Sequence, residues 1–266
     1  MSTKDALGDR MKEFYENRSK TYLTRRTPVI IRLDGKAFHS FTKGFKRPYD
    51  EIFHEAMNET LRYLCMNIQG CKLGYTQSDE ITLLLTDYEK LTTDTWFGYS
   101  VQKMCSVAAS MATLAFNQSF RKALEGYFNE YATSEDYYIT MCRALDKGAM
   151  FDARVFSIPK EEVANCFIWR QQDATRNAIQ MLGQTHFSHK ELDCKDQNDI
   201  QDMLMLDKGI NFNDMSVAFK RGVCCYRTNV SEDTVEELTV VNRNKWIIDL
   251  DIPIFTQDRN FIEKWV

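Results

Sequence analysis

Three carboxylates stand out by type and position. Asp34 closes the run PVIIRLD (28–34), and Asp79 and Glu80 sit side by side in TQSDE (76–80). If the first run is a strand and the second is the tip of a hairpin, two or three carboxylates meet at one edge of a sheet. Such a cluster repels itself unless cations hold it. Hard divalent ions with oxygen ligands, above all Mg²⁺ bridged by substrate phosphates, suit it. Two such ions can activate an attacking hydroxyl and stabilise a leaving oxygen in phosphoryl transfer. The alternative is that Asp79 and Glu80 simply decorate a solvated turn.

Gly35 follows Asp34 directly and lets the backbone approach a ligand, so its amide and those of Lys36 and Ala37 are candidates to bind phosphate oxygens. Phe38 and His39 come next and offer a flat surface for a base. A strand followed by Asp-Gly is also an ordinary turn. Lys46, Arg47 and Lys103 are candidate phosphate partners, although each alone reads more simply as a solvated surface charge.

The surrounding pattern must position these groups. Val29, Ile31 and Leu33 fall on one face at period two, which predicts a strand over 28–34. Residues 50–67 carry Ile52, Phe53, Ala56, Met57, Leu61, Leu64 and Cys65 at helical spacing behind Asp50 as N-cap. Short apolar runs at 71–75 and 81–85 flank the polar tip, predicting a hairpin. A second helix spans about 96–124, and a strand 149–158 follows. The predicted class is therefore α+β, with a ferredoxin-like βαββαβ core of the kind on which polymerase palms and nucleotide cyclases are built. Beyond Pro159 a helix to about residue 182, a polar stretch 188–202 and strands around 217–226, 238–241 and 246–250 form a C-terminal helix-and-strand elaboration, with Asn242, Arg243 and Asn244 as the turn before the last strand. With no repeat or linker, the chain reads as one catalytic domain, 1–266, with a palm-like core at about 25–160 and the elaboration at about 160–266.

Composition narrows the classes. With 44% hydrophobic residues in 266 the chain can bury a core, and no run approaches the ~18 apolar residues of a membrane span. A charged N-terminal stretch without a secretory pattern points to a cytoplasmic protein. The eight cysteines are scattered, mostly in apolar runs and without a CxxC pair, which favours free buried thiols over disulfides or zinc. His186 and His189 form an HxxH without a third ligand nearby and are assigned nothing. A net charge of -4 gives no global sign of nucleic-acid binding, so any RNA surface must be local.

The blocks RLDGKAFHSF (32–41), YTQSDE (75–80), FDAR (151–154), WRQQD (169–173) and KRG (220–222) resemble, in order and spacing, the tRNA-His guanylyltransferase family. The resemblance implies a template-dependent 3′ to 5′ nucleotidyltransferase acting on the 5′ end of tRNA. Asp34, Asp79 and the Gly35 carbonyl would hold two Mg²⁺ ions, with Glu80 beside them. Phe38, His39 and Asp50 would form the base pocket, and Arg47, Ser78, Lys103 and Arg154 would contact triphosphate. In this chemistry ATP activates a 5′-monophosphate and the 3′-hydroxyl of GTP or another NTP attacks it, whereas a 5′-triphosphorylated start skips activation. Family members form homotetramers, so the same is expected here.

Two departures from the eukaryotic pattern are informative. Thr175, Arg176, Asn177 and Ala178 replace His-Ile-Asn-Asn, a block associated with tRNA-His specificity, and Ser100 replaces an arginine, while Lys103 remains. This resembles the "like-protein" branch, which repairs 5′-truncated tRNA by templated addition, and makes G addition to tRNA-His the lesser activity. Arg170, Asp173 and Asn177 share a helix face and, with Arg176, could meet RNA; an internal Arg170 to Asp173 ion pair is the plainer alternative. Lys220 and Arg221 could touch tRNA phosphates or simply charge a strand edge. The competing functions are a palm-type nucleotide cyclase and a non-catalytic RNA-binding module.

Overall fold

A computed structural model describes residues 5–130, 134–232 and 241–266. In chain order the elements are α1 (Ala6–Phe14), β1 (Val29–Gly35), α2 (Phe38–Phe41), α3 (Glu51–Asn67), β2 (Cys71–Gln77), β3 (Glu80–Leu85), α4 (Val101–Glu130), α5 (Glu135–Lys147), β4 (Phe151–Ser157), α6 (Lys160–His186), α7 (Gln197–Lys208), α8 (Val217–Arg221), β5 (Val223–Glu232), β6 (Val241–Asp249) and α9 (Asn260–Glu263). The six strands form one sheet in the order β4-β1-β3-β2-β5-β6, and every neighbouring pair is antiparallel. Its first four strands reproduce the ferredoxin-like order expected from the βαββαβ reading, and β5 and β6 extend the β2 side.

Period two in β1 sorts the two layers. Val29, Ile31 and Leu33 enter a core with Ile52, Met57 and Leu61 of α3 and Met104, Ala108 and Phe116 of α4. Ile30 points the other way, into a core with Leu73, Tyr75, Phe167 of α6, Phe255 and Ile262. Each large side chain so buried contributes about 1.5–3 kcal/mol. Cys224 and Cys225 divide between the same two cores, as adjacent strand residues must. The outer half of α6 packs with α7 and α8 in a third cluster around Ile179, Leu182, Ile200 and Leu204. Among the described residues no helix is long and apolar enough to cross a membrane, and all eight cysteines are free.

The structure departs from the sequence reading in four places. Residues 217–221 are helical, because the Ser216 side chain caps the Phe219 amide and Gly222 ends the turn at φ 82, so the strand starts only at Val223. Asn242, Arg243 and Asn244 lie inside β6, and most of the expected strand 238–241 lies outside the described residues. The helix predicted from residue 96 begins at Val101 after a kink at Phe97 and Gly98. Three helices of nine or more residues, α1, α5 and α7, lie outside the expected elements; each opens on a side-chain cap, Asp5, Ser134 and Asp196.

Gly74 of β2 is pressed against α3, where an added Cβ would lie 2.4 Å from Cys65 Sγ and 2.6 Å from Leu61 Cδ1. Gly74→Ala is expected to destabilise the protein by about 2 kcal/mol in urea unfolding. Gly126→Ala, in the exposed interior of α4 with nothing within 4 Å, is expected to stabilise it by up to about 1 kcal/mol.

Candidate active site

The end of β1 and the tip of the β2–β3 hairpin build one edge. Gln77 pairs with Glu80, so Ser78 and Asp79 form a two-residue turn, with Ser78 at φ 48. The Gly35 amide donates to the Asp79 carbonyl at 3.1 Å, and Ser78 Oγ donates to Asp79 Oδ1 at 3.0 Å. Thr76 Oγ1 donates to the Glu80 carbonyl at 2.9 Å. These bonds fix the turn against the strand and bring Asp34 and Asp79 together. Asp34 stands opposite Glu80 on one side and Asp152 on the other. Because Ile31 and Leu33 face α3 and α4, Arg32 and Asp34 face the α6 side, as do their strand partners Arg154 and Asp152.

Burial pushes the Asp79 carboxyl up from its ordinary value, against the Ser78 hydrogen bond, and the nearby Asp34 charge adds to the shift. Glu80 is also raised, chiefly by burial, with Arg170 and Arg32 opposing. Its Oε2 accepts from Arg170 Nη1 at 3.1 Å, while Oε1 is buried without a hydrogen-bond partner among the described residues. Of the two or three carboxylates expected at this edge, Asp34 and Asp79 stay together while Glu80 is drawn toward α6 by Arg170, and no group of three or more His, Cys, Asp or Glu placed to hold a metal occurs among the described residues. Asp34 and Asp79, with the Gly35 backbone, remain as oxygen donors. An all-oxygen pair of close carboxylates, one of them raised by burial and repulsion, fits a hard divalent cation.

Behind the edge the loop is tightly built. An added Cβ at Gly35 would fall 2.3 Å from Phe38 Cδ2, so only glycine fits. Ala37 is left-handed at φ 55 and starts the short α2. The Gly35 and Lys36 amides are taken by the carbonyls of Asp79 and Met150, which corrects the expectation that all three loop amides could bind phosphate; of the three, Ala37 is left. Phe38 is also corrected as an open stacking surface. Its ring is 4% exposed and packed against Phe41, Phe53, Phe116 and Phe151. His39 stays exposed, 3.0 Å from Ser40 Oγ.

A cleft of about 500 Å³ opens beside this edge, lined by Asp34, Asp79, Ser78, His39, Arg47 and Asp50 on one side and by Asn177, Ala178, Met181 and Phe219 on the other. Asp50 is the N-cap of α3, accepting from Phe53 N at 3.1 Å, and its other oxygen receives Lys46 N and the Tyr137 hydroxyl, both at 2.9 Å. Its contribution to a base pocket is therefore mainly to hold the wall. Lys46 Nζ lies 4.7 Å from the ring centres of both Tyr127 and Tyr137, which turns it away from a phosphate role. Lys103 stands at the other end of the sheet: α4 begins beside Thr21 and Tyr99, close to Asp87, beyond the Val29–Leu85 end of β1 and β3. Within one copy of the chain it does not join the edge. Arg154 is exposed on β4 opposite Arg32, loosely paired with Asp152 at 3.5 Å.

The expected RNA face is also redistributed. Arg170 is 6% exposed and bound to Glu80 and Asp173, so the internal ion pair is what the structure adopts. Lys220 is buried, its ammonium on the Asn213 carbonyl, and burial lowers its pKa. Arg221 is half-buried and reaches the Ile252 carbonyl at 3.4 Å. Arg176, paired with Asp173 at 2.9 Å, and Asn177 remain exposed on α6. Sequence reasoning missed the cleft residues Gln77, His54, Asn58 and Met181. For Gln77 its place in the YTQSDE block was a signal; for the others only tertiary packing reveals the cleft.

The family model described as tRNAHis guanylyltransferase (Thg1) matches residues 8–159. Among solved structures, a bacterial tRNA(His) guanylyltransferase (Thg1)-like protein in complex with ATP superposes with a TM-score of 0.81 at 43% identity, covering 98% of this chain and 99% of its own, and the corresponding complex with GTP gives 0.78 at 40% over the same shares. A protein of Acanthamoeba polyphaga mimivirus is 29% identical over 251 residues, 91% of this chain and 84% of its own. The tRNA(His) guanylyltransferase of Debaryomyces hansenii is 27% identical over 221 residues, 78% and 76% of the two chains.

His54, in the cleft wall, stacks on Tyr49 at 3.8 Å and 3°, and burial lowers its pKa to about 4. Below the ordinary imidazole value the unfolded chain takes up a proton that the folded chain refuses until about pH 4, so this residue makes stability fall as pH drops through that window. Relative to His54→Gln, the wild type is expected to lose an extra ~2 kcal/mol between pH 7 and 4.5, somewhat under the full linkage because the cleft admits water. Urea unfolding at the two pH values checks this; parallel pH dependence in the two proteins would contradict it.

Proposed function

The chain belongs to the tRNAHis guanylyltransferase family and is a nucleotidyltransferase of that type, and from this premise we propose that it extends the 5′ end of tRNA in the 3′ to 5′ direction, preferring templated repair of 5′-truncated tRNA. The observation that carries the reading is the pair Asp34 and Asp79, tied together by the Gly35 to Asp79 bond at the mouth of a cleft large enough for a nucleotide. The bacterial relative's complexes with ATP and GTP support NTPs as the ligands of that cleft.

In this proposal Asp34, Asp79 and the Gly35 carbonyl would hold two Mg²⁺ ions. When bound, the ions lower the pKa of an attacking 3′-hydroxyl and offset charge on the leaving phosphate oxygen. The chain's own groups orient the reactants. His39 and the cleft wall held by Asp50 receive the base. The Ala37 amide and Arg47 and Ser78 at the cleft, with the exposed Lys36 beside them, face the triphosphate. Arg154, beside Arg32 on the other flank of Asp34, offers a cation for the second phosphate-bearing reactant. Arg176, Asn177 and Arg221 meet the RNA.

Preference for repair is supported by where the chain departs from the eukaryotic pattern. Ala178, in place of the second Asn of that block, lines the cleft beside Asn177, so the departure changes the surface that a 5′ end meets. We further propose a cytoplasmic homotetramer, in which Lys103 could serve a neighbouring copy's triphosphate.

Incubation with Mg²⁺, ATP, NTPs and two 5′-monophosphorylated RNAs tests the reading: a tRNA lacking its first nucleotide should be extended by the template-matched nucleotide in preference to G addition on tRNA-His. The reverse preference would restore the guanylyltransferase activity as the main one, and cyclic nucleotide from NTP alone would mark a cyclase. Asp34→Ala and Asp79→Ala are each expected to reduce transfer at least about 1000-fold with unchanged thermal unfolding; retained activity in either would remove that residue from the metal site.

A further inference from the structure

We propose that Arg170 is a positioning residue for the reaction: from helix α6 it clamps the carboxylate of Glu80 and so fixes the edge that carries Asp34 and Asp79. The inference rests on the nucleotidyltransferase reading of that edge. Arg170 sits on a helix whose exposed side was expected to meet RNA, yet its guanidinium is turned inward. Nη1 donates to Glu80 Oε2 at 3.1 Å and Nη2 to Asp173 Oδ2 at 2.7 Å, and the group lies 3.9 Å from the centre of the Trp169 ring. The Arg170 and Glu80 side chains are 7% and 12% exposed. Glu80 is the strand partner of Asp34 and the chain neighbour of Asp79, so its orientation bears on both.

Stability alone does not account for such a pair. Two buried charges are costly to desolvate, and an apolar pair of similar volume is often at least as stable. Hydrogen bonding here is also incomplete: Arg170 Nε and Glu80 Oε1 are both buried without partners among the described residues. A pair that leaves one carboxylate oxygen unengaged at the edge while pinning the other is suited to orientation. It holds Oε2 and leaves Oε1 buried on the strand partner of Asp34, next in the chain to Asp79, where an outer partner for groups bound at those two residues would act. Asp173 secures the arrangement from behind, because its two oxygens receive Arg170 and Arg176. A chain of charges thus runs from Glu80 through Arg170 and Asp173 to the surface of α6.

The two roles open to Arg170 predict different couplings. A residue acting through Glu80 loses its importance once Glu80 is neutral; a residue that contacts RNA does not. The experiment compares wild type, Arg170→Gln, Glu80→Gln and the double variant, with thermal unfolding as the control for folding. Two quantities are read: Mn²⁺ binding in the presence of ATP, followed by electron paramagnetic resonance, and kcat and KM for templated addition to a truncated tRNA. Arg170→Gln should weaken Mn²⁺ binding or lower kcat by about 10- to 100-fold, with KM for the RNA within about twofold, and should cost little further in the Glu80→Gln background. Should Arg170→Gln fail to fold, the double variant, which leaves no unpaired buried charge, replaces it in comparison with Glu80→Gln alone. Equal losses in both backgrounds, or a raised KM for RNA with kcat and Mn²⁺ binding unchanged, would overturn the proposal. Wild type that binds Mn²⁺ but extends neither RNA would overturn the functional reading instead, and the Mn²⁺ comparison would still decide the role of Arg170.

Discussion

Two carboxylates do not stay together at a sheet edge by their own preference. Asp34 and Asp79 repel, and burial already disfavours the charged form of Asp79. What holds them is backbone: Ser78 in the left-handed region turns the chain in two residues, and the Gly35 amide on the Asp79 carbonyl ties that turn to the neighbouring strand. Most of the other structure around the site can be understood as support for this constraint. The antiparallel register places Glu80 and Asp152 on either side of Asp34, so a slip of β1 by one residue would send Asp34 to the face opposite both.

The loop after β1 is supported from beneath. Phe38 fills the space above Gly35 and joins a cluster of phenylalanines from α2, α3, α4 and β4. The far end of the loop is held by Asp50, which caps α3 while receiving Tyr137 of α5, and by Lys46 between two tyrosine rings. Arg143 of α5 adds a bond to the Lys43 carbonyl at 3.0 Å. A wall fixed at both ends holds His39 and Arg47 at the cleft with little freedom to reorganise, and reorganisation is where binding affinity and catalytic rate are commonly lost.

Helix α6 divides its polar residues among three tasks. Arg170 and Asp173 look toward the sheet, Arg176 and Asn177 toward solvent and the cleft, and Gln171 binds the C-terminal segment through Pro253 and Phe255. One rigid element therefore touches the carboxylate edge, the cleft wall and the C-terminal packing, so a displacement of the helix by a bound substrate would be felt at the edge.

Much of the core was legible from local pattern. The period-two run of β1, the stripe of α3 behind Asp50, the hairpin around Asp79 and the opposed faces of Cys224 and Cys225 all follow from side-chain direction along a strand or helix, which needs no tertiary information. The helix at 217–221 was misread because a short apolar run does not distinguish helix from strand, and the cap at Ser216 and the stop at Gly222 carried the distinction. The sequence by itself determined the ferredoxin-like order and the carboxylates Asp34 and Asp79, since both are set by spacing along the chain and the family motifs. Only the tertiary structure decided that Phe38, Lys46, Arg170 and Lys220 turn inward, that Glu80 is drawn to α6, and that Lys103 lies at the far end of the sheet, because where a charged or aromatic side chain points depends on partners distant in sequence.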